Sequence, residues 1–233
     1  MRSFYSWLLI FLLTSVLVSI TPGRAAAVAK PHVVSFGRWT PVPCPSAPDE
    51  SIQTLRVRAL IVDGKVKEYT FDTPHEVTER LFVARRAFRI NDSLPTESAS
   101  PRWLWQRGGW LLVDRMTGKV SSINLPDFDA SSSIASWYRD YVAYCGVSDD
   151  GQKRYAVVAQ LNRKKPVLKK ALADSGTGAA DPGSACSPAA WQRRPVEVSF
   201  GTAGGPKQTF AVRGHTVDVV VENEDEDAAE ASK

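Results

Sequence analysis

Hydrophobic and polar residues alternate with a period of two along most of the chain after residue 30. Residues 55–61 carry apolar side chains at every second position, and a second run of strand type follows at residues 66–71. Asp63-Gly64 lies between the two runs, and an Asp-Gly pair in that place is a strong signal for a β-hairpin. The pattern therefore predicts two antiparallel strands joined by a tight turn.

More segments of the same kind follow as far as residue 172. The predicted strands are residues 80–90, 102–106, 110–115, 119–125, 136–145, 153–161 and 166–172. Gly108-Gly109 is predicted to separate two of them, and no segment shows sustained helical periodicity. Many short strands at intervals of about 8–12 residues are typical of all-β folds. We therefore predict antiparallel, blade-like sheets that form a partial propeller or a β-sandwich.

The composition changes after residue 172 and divides the chain further. Residues 173–189 are rich in Gly, Ala and Ser and predict a flexible linker, which ends the main domain at residues 30–172. Residues 190–221 return to alternation and predict a small strand set. Residues 222–233 hold six acidic side chains and one lysine, which predicts a disordered acidic tail.

The N-terminus has the features of a secretory signal peptide. Arg2 precedes an apolar run from Trp7 to Ile20, and small residues at 25–29 follow a Pro-Gly break. The apolar run is shorter than the ~20 residues that a membrane-spanning helix needs. We therefore expect residues 1–29 to form a signal helix that is removed. The protein would then be exported, periplasmic or secreted, without a stable membrane span.

The charge is unevenly distributed. The whole chain has a formal net charge of +4, but residues 30–221 carry 26 basic and 19 acidic side chains, a net charge of +7, whereas residues 222–233 carry −5. A basic surface on an exported protein favours anionic envelope partners over nucleic acid, and much of the charge is expected to be simply solvated. We therefore expect no nucleic-acid partner.

Three cysteines are present, and an oxidising compartment permits one disulfide among three pairings. We favour Cys145–Cys186, because Cys145 ends a strand-like run and Cys186 follows the predicted linker, which would gain most from a tether. Closing a loop of that length contributes roughly 3–4 kcal/mol in the chain-entropy model. Cys44 lies in a Pro-Val-Pro-Cys-Pro segment that predicts an exposed turn, and it is left over as a free thiol or an alternative partner.

One stretch resembles a known family. Ser136-Trp137-Tyr-Arg-Asp140 precedes a strand-like run, a turn ending at Gly151 and another strand, and Thr117-Gly118 joins two earlier strands. This order is similar to a blade of the TolB-type β-propellers and extends over about residues 100–172. The resemblance implies blade-like antiparallel sheets, and a closed propeller would need at least four blades of ~40 residues each.

Motifs for catalysis and cofactors are not found. His75-Glu76 is followed by Glu79 where a zinc-protease helix needs a second histidine, and no Gly-x-Ser-x-Gly elbow occurs. The acidic loop residues lack the spacing of a calcium loop. We therefore expect no metal and no cofactor, and no enzymatic activity, although a hydrolase with distant site residues stays open.

Aromatic residues provide the best candidates for binding. Trp103 and Trp105 share one face of a strand with Arg107, an arrangement that suits sugar rings or extended peptides unless the indoles fill a core. Acidic residues in the turn before Gly151 add a second exposed feature. The candidate binding residues are Trp103, Trp105, Arg107, Trp110, Asp149 and Asp150.

Together these features predict an exported, non-enzymatic interaction module of the cell envelope or extracellular space. Its expected partner is another envelope or extracellular protein, bound through sheet edges or blade loops. The alternative is a glycan-binding protein that uses the tryptophan face, followed by the dispersed-site hydrolase.

Overall fold

The computed structural model describes residues 31–46, 51–93, 100–172, 187–201, 207–213 and 216–219. This part of the chain consists of β-strands and connecting segments, and it contains no helix, hence none that could cross a membrane. The all-β prediction is therefore confirmed. The predicted signal peptide and acidic tail lie outside the described residues.

The described residues form fifteen antiparallel strands in three sheets. The first sheet has the order β1-β3-β4-β5-β6-β7, with β2 also paired to β3; the middle sheet has the order β11-β10-β9-β8, and the third the order β12-β13-β14-β15. The strands of the first sheet are β1 (Val34–Phe36), β2 (Thr40–Ser46), β3 (Ser51–Val62), β4 (Lys65–Glu76), β5 (Leu81–Asn91), β6 (Trp103–Asp114) and β7 (Val120–Ile123). The middle sheet contains β8 (Ser136–Tyr138), β9 (Tyr141–Val147), β10 (Arg154–Gln160) and β11 (Leu168–Ala171). The third contains β12 (Ala190–Arg193), β13 (Val196–Phe200), β14 (Gln208–Arg213) and β15 (Thr216–Val219).

The turn predicted at Asp63-Gly64 is confirmed. These two residues join β3 to β4 with φ values of 51° and 76°, which is the positive-φ pair that a two-residue hairpin requires. Asp63 also accepts a hydrogen bond from the backbone N–H of Val33 at 3.0 Å and contacts the His32 ring nitrogen at 2.6 Å. The turn therefore also fixes the segment that precedes β1.

Strand β6 is continuous, so the predicted separation of two strands at Gly108-Gly109 is wrong. The pairing of β5 with β6 shifts register here, because Arg85 faces Trp110 whereas Ala87 faces Arg107. A Cβ atom on Gly108 would lie 3.0 Å from the carbonyl oxygen of Arg86. The glycine therefore permits a β-bulge with close backbone contact, and the strand bends instead of ending.

The exposed turn predicted around Cys44 is also wrong. Cys44 lies in strand β2, is 2% exposed and packs with Leu55, Val57 and Phe71. The prolines of this segment occupy every second position, and alternate residues of a strand direct their N–H groups toward the same edge. The N–H groups that the prolines lack would all point away from β3, so the pairing of β2 with β3 is not interrupted. A proline-rich run can therefore form an edge strand, where proline is tolerated.

The middle sheet is buried on both faces. Val142, Tyr144 and Val157 belong to a core shared with the first sheet, whereas Ala143 and Val158 belong to a core shared with the third. Adjacent residues of a strand point to opposite faces, so β9 and β10 read as nearly continuous apolar runs. The three sheets therefore stack as layers with one hydrophobic core on each face of the middle sheet, and within the described residues two further apolar clusters belong to the first sheet.

The strand set predicted at residues 190–221 packs directly on the middle sheet. Phe200 and Phe210 are fully buried in the shared core with ring centroids 5.8 Å apart, and the Trp191 indole donates a hydrogen bond to the Ser136 carbonyl at 3.0 Å. Of the predicted linker, residues 173–186 are outside the described part. Cys186 is among them, so the pairing with Cys145 stays a prediction.

Candidate functional site

Three of the predicted binding residues alternate along the first half of β6. Trp103, Trp105 and Arg107 pair with Asn91, Arg89 and Ala87 of β5, respectively. Because side chains at every second position point to the same side of a sheet, both tryptophans share a face with their partners on β5. The candidate site is therefore centred on two neighbouring strands, of which β5 contributes polar groups and β6 the two indole rings.

Trp103 is more exposed than the other aromatic residues of this face. Its side chain is 53% exposed, which is unusual for the largest apolar side chain. The guanidinium carbon of Arg89 lies 5.4 Å from the Trp103 ring centroid and 5.7 Å from that of Trp105. Both distances are within the range of cation–π attraction, so Arg89 links the two indoles.

Arg89 carries a charge that no carboxylate neutralises within the described part of the chain. Ion pairs there involve other arginines, including the pairs Arg86–Glu68 and Arg102–Asp92. The side chain of Arg89 is exposed to solvent. This cation is therefore positioned by aromatic contacts and can pair with an anionic group of a ligand.

Trp105 connects the exposed ring to the core. It is partly buried against the cluster that contains Phe71 and Ala87, and its ring meets that of Tyr69 edge-on, with centroids 5.1 Å apart and planes at 80°. Tyr69 is itself 38% exposed. We call the set Tyr69, Arg89, Asn91, Trp103 and Trp105 the aromatic face.

Asn91 supplies hydrogen-bonding capacity next to Trp103. Its side-chain oxygen accepts hydrogen bonds from the backbone N–H groups of Ser93 at 3.2 Å and Arg102 at 3.0 Å. These bonds fix the amide group beside the indole and employ only its oxygen. The NH₂ group is a donor of the kind that peptide carbonyls and sugar hydroxyls accept.

Arg107 continues the alternation but has a structural role. Its guanidinium donates to the side-chain oxygen of Gln53 at 3.3 Å, which ties β6 to the start of β3. Burial raises the pKa of the Cys44 thiol, and the nearby charge and backbone N–H of Arg107 offset this only in part. Cys44 therefore stays a protonated thiol at neutral pH and is a poor nucleophile.

Trp110 does not belong to the aromatic face. It is 6% exposed and packs edge-on against Trp137 of the middle sheet, with ring centroids 5.2 Å apart. His75 stacks on the same Trp137 ring at 5.9 Å, and its Nε2 atom lies 2.8 Å from the carbonyl oxygen of Arg139. These residues join the first and middle sheets, and Trp110 is a core residue.

Asp149 and Asp150 lie in the turn between β9 and β10, in the middle sheet. The Asp150 carboxylate accepts hydrogen bonds from the Ser148 hydroxyl at 2.5 Å and the Gln152 N–H at 3.0 Å, and the first of these is the main cause that lowers the pKa of Asp150. This is the usual chemistry of a turn aspartate. Asp149 is exposed, and the structure shows no contact between this turn and the aromatic face within its described residues.

Sequence reasoning missed Tyr69, Arg89 and Asn91. Arg89 and Asn91 follow the alternation of β5, but their proximity to the tryptophans depends on cross-strand register, which one strand cannot reveal. One signal could have found them: the predicted strand at 80–90 is followed, after a loop, by the strand that carries the tryptophans, so the two could be expected to pair. The bulge at Gly108-Gly109 shifts the register of this pairing, which the sequence does not show.

The remaining candidates for catalysis or metal binding are the histidine, cysteine and acidic side chains of the described residues. No three His, Cys, Asp or Glu side chains gather there to hold a metal ion. His32 and His75 are each engaged in contacts between chain segments, with Asp63 and the Arg139 carbonyl, respectively. His215 lies outside the described part.

Comparison with known proteins gave no match to a family model, a curated protein or a solved structure. The aromatic face is therefore characterised by its own chemistry. It combines two indoles and a phenol with an amide donor and a guanidinium that has no ion pair among the described residues, all on paired strands.

Proposed function

We propose that this protein is an exported, non-enzymatic interaction module that binds a protein partner through the aromatic face. The observation that carries the proposal is the half-exposed Trp103 ring held beside the Arg89 cation. Tryptophan, tyrosine and arginine are the residues enriched at the energetic centres of protein interfaces. All three types meet on this face.

The energy available from Trp103 supports this role. A tryptophan buries roughly 150–250 Å² when fully covered, so the exposed half represents about 100 Å². At about 25 cal/mol per Å², covering it contributes about 2–3 kcal/mol before the costs of association. A single side chain can therefore act as an interface anchor, and the paired strands hold it ready for binding.

The charge of the face favours a partner with carboxylates. Arg89 lacks an ion pair within the described residues, and residues 30–221 have a net charge of +7. A carboxylate of the partner placed over Arg89 would form a charge-assisted hydrogen bond beside the ring. The surrounding positive field would accelerate the encounter with an acidic surface.

The architecture that presents this face is, in our proposal, a partial propeller-like stack. The middle and third sheets are each four-stranded, with neighbouring strands consecutive in sequence, and they pack face to face. Of these two sheets, the middle one (residues 136–171) lies within the stretch that resembles a propeller blade, and its consecutive antiparallel strands are what supports this proposal. The first sheet has seven strands. In this proposal it is the part of the module that binds the partner, through the aromatic face.

Glycan binding is the second candidate, favoured by the environment of Trp103. The exposed indole can stack on the apolar face of a sugar ring, while the Asn91 amide and the Arg89 guanidinium donate to hydroxyl groups. A neutral glycan would not use the Arg89 charge. We therefore place a protein partner first.

The test is capture of ligands from the envelope extract of the source cells by the full chain, with Trp103→Ala as the variant and Ile134→Ala as the control. Ile134 is also an exposed apolar residue, at 50%, but it lies in the segment before β8. A stoichiometric protein complex that Trp103→Ala abolishes and Ile134→Ala retains, reconstituted from the purified components, supports the proposal. Captured glycan with the same dependence favours the second candidate, and equal capture by both variants contradicts both.

A further inference from the structure

A cavity opens in the first sheet where β3 and β4 stop pairing. Among the described residues, the ladder between these strands ends at Arg58 and Thr70, and residues 51–57 of β3 pair only with β2. The volume of the cavity is about 370 Å³, near the lower end of the range of about 300–1,000 Å³ typical of ligand sites. A small organic molecule therefore fits. The lining residues are Trp39, Thr54, Leu55, Arg56, Asp72 and Thr73, none of which belongs to the aromatic face.

An irregular stretch of β4 places Asp72 at the cavity. The ladder between β4 and β5 shifts register between Phe71 and His75, and Asp72 in this stretch has a positive φ of 61°. Aspartate is one of the few residues other than glycine that are enriched in this region. Residues held in such conformations are frequent at binding and active sites. The shift in register therefore gives Asp72 and Thr73 a backbone position that a regular strand does not provide.

The cavity contains one positive and one negative side chain that do not pair with each other. Arg56 has no carboxylate partner among the described residues, and its guanidinium carbon lies 5.6 Å from the centroid of the Trp39 ring. The Asp72 carboxylate lies 3.9 Å from Arg85, which is longer than a hydrogen bond, and it accepts no hydrogen bond from the described part of the chain. Both charged groups therefore keep hydrogen-bonding capacity for a ligand.

Trp39 forms the aromatic wall of the cavity. Arg58 lies over the same indole as Arg56, with its guanidinium carbon 4.3 Å from the ring centroid of Trp39 and 3.9 Å from that of Phe36. These distances are within the range of cation–π attraction, so the indole is held by contacts with two arginines. Leu55, which is almost fully buried, adds a second apolar side chain. The wall therefore presents apolar surface next to the two charges.

Two hydroxyl groups complete the cavity. Thr54 lies on β3 and Thr73 on β4, and neither hydroxyl group forms a hydrogen bond with another described residue. A hydroxyl group both donates and accepts hydrogen bonds. It can therefore bond to the carboxylate or to the ammonium group of a bound molecule.

The two charges select the class of ligand. A simple anion would meet the carboxylate of Asp72, and a simple cation would meet the guanidinium of Arg56, and like charges placed together oppose binding. A molecule that carries both charges satisfies both side chains. An apolar body on the same molecule would cover Trp39 and Leu55 and remove their surface from water.

From this arrangement we infer that the cavity binds a free α-amino acid with an apolar side chain, whose carboxylate meets Arg56 and whose ammonium group meets Asp72. The inference is independent of the proposed function, because the cavity and the aromatic face have no residue in common.

The test is an NMR titration of the ¹⁵N-labelled protein at pH 7, purified after expression of the full chain. Leucine and phenylalanine are the candidate ligands. The amide of each lacks the carboxylate, the N-acetyl derivative lacks the ammonium group, and glycine lacks the apolar side chain. We expect leucine, phenylalanine or both to shift the amide signals of residues 54–56 and 72–73 and the indole signal of Trp39. The amides, the N-acetyl derivatives and glycine should bind at least tenfold more weakly.

Two results of this titration overturn the inference. The first is the absence of binding by both candidates at millimolar concentration. The second is an amide, an N-acetyl derivative or glycine that binds as tightly as the better candidate, because one of the three contacts would then be unnecessary.

Variants that remove one charge test the two polar contacts separately. Arg56→Gln should weaken binding of the amino acid about tenfold and abolish its preference over the amide. Asp72→Asn should weaken binding about tenfold and abolish the preference over the N-acetyl derivative. Arg38→Gln and Asp149→Asn are the matched controls, because both residues are exposed and do not line the cavity, and each should change the affinity less than twofold. Equal weakening by the controls, or a preference that survives in the variants, contradicts the assigned contacts. Trp103→Ala should leave amino-acid binding unchanged, so the cavity and the aromatic face can fail separately.

Discussion

Arg89 and Trp103 lie on adjacent strands with the guanidinium carbon 5.4 Å from the centre of the indole ring. The pair directs a large apolar surface and a positive charge toward the same solvent region. Such a combination is costly to expose and valuable at an interface, because a partner can cover the ring and neutralise the cation together.

The bulge in β6 predicts different effects for two adjacent glycines. Gly108→Ala would place its Cβ 3.0 Å from the Arg86 carbonyl oxygen and 3.1 Å from the Arg86 Cβ, whereas a Cβ on Gly109 has no neighbour within 4 Å. We expect Gly108→Ala to lower the free energy of unfolding by about 1–3 kcal/mol, as overpacking does. Gly109→Ala should change it by about 0.5 kcal/mol or less. Urea denaturation of both variants measures the difference, and equal effects would show that the close contact is absent.

The buried Arg85 predicts a loss of stability when its side chain is removed. Its guanidinium donates to the carbonyl oxygens of Ala130 at 2.8 Å and Ser133 at 3.3 Å, and burial lowers the pKa of this arginine. Arg85→Ala leaves two carbonyls unpaired and opens a cavity, so we expect a loss of about 2–4 kcal/mol. Thermal and urea unfolding measure it.

The control for Arg85 is its nearest carboxylate. Asp72 is largely exposed and lies 3.9 Å from the guanidinium, so its Coulomb energy is screened by solvent. Asp72→Asn should therefore cost less than about 1 kcal/mol. If Asp72→Asn lowers the free energy of unfolding as much as Arg85→Ala does, the ion pair, and not the hydrogen bonds to the Ala130 and Ser133 carbonyls, is the main stabilising contact of Arg85.

The pH dependence of stability follows from Asp114. Its hydrogen bond from Arg80 Nε at 2.8 Å is the main cause that holds the pKa of this carboxyl far below the usual aspartate range, and the N–H of Met116 adds to it. A depressed pKa in the folded state gives stability that is present above the unfolded value of about 3.9 and is lost as the pH falls below it.

The variant Asp114→Asn tests this dependence. It keeps an oxygen acceptor for the turn but cannot titrate, so it should be less stable than the wild type at pH 7 and lose less stability between pH 5 and pH 2. Unfolding followed by circular dichroism at several pH values gives the comparison. Parallel curves for the two proteins would show that Asp114 does not contribute to the acid limb.

The number of cysteine thiols that react with a thiol reagent depends on whether the predicted disulfide is present. Because Cys44 is buried and its thiol pKa is raised by burial, it should not react with a thiol reagent in the native protein at pH 8. After denaturation without reductant, one thiol should react if Cys145 and Cys186 are paired. Three reactive thiols would contradict the pairing, and a rapid reaction of the native protein would contradict the burial of Cys44.

The sequence was sufficient where local chemistry determines structure. Alternation and the Asp63-Gly64 pair predicted the β3–β4 hairpin, and the strand predicted at residues 80–90 corresponds to β5. It failed at Cys44 and at Gly108, because prolines and glycines are usual in turns and only the pairing partner shows that they continue a strand. Register across strands is a property of two segments, so Arg89 could not be assigned to the tryptophans beforehand.

The candidate site was predicted in part for the same reason. The alternation of Trp103 and Trp105 was readable from spacing, but their environments differ through packing that spacing does not encode. Trp110 is the clearest example: it lies on the same strand, β6, but its ring packs against Trp137 of the middle sheet. The exposed Trp103 and the buried Trp110 could therefore be told apart only from the packing of the three sheets, because the sequence does not show which sheet covers which part of β6.

The most direct measurement is the affinity of the purified partner for the wild type, Trp103→Ala, Arg89→Ala and the control Ile134→Ala by isothermal titration calorimetry. If the aromatic face is the binding site, Trp103→Ala should weaken binding at least thirtyfold, which corresponds to about 2 kcal/mol, and Arg89→Ala about tenfold. Ile134→Ala should remain within twofold of the wild type. Wild-type affinity in both Trp103→Ala and Arg89→Ala would contradict the proposed binding face.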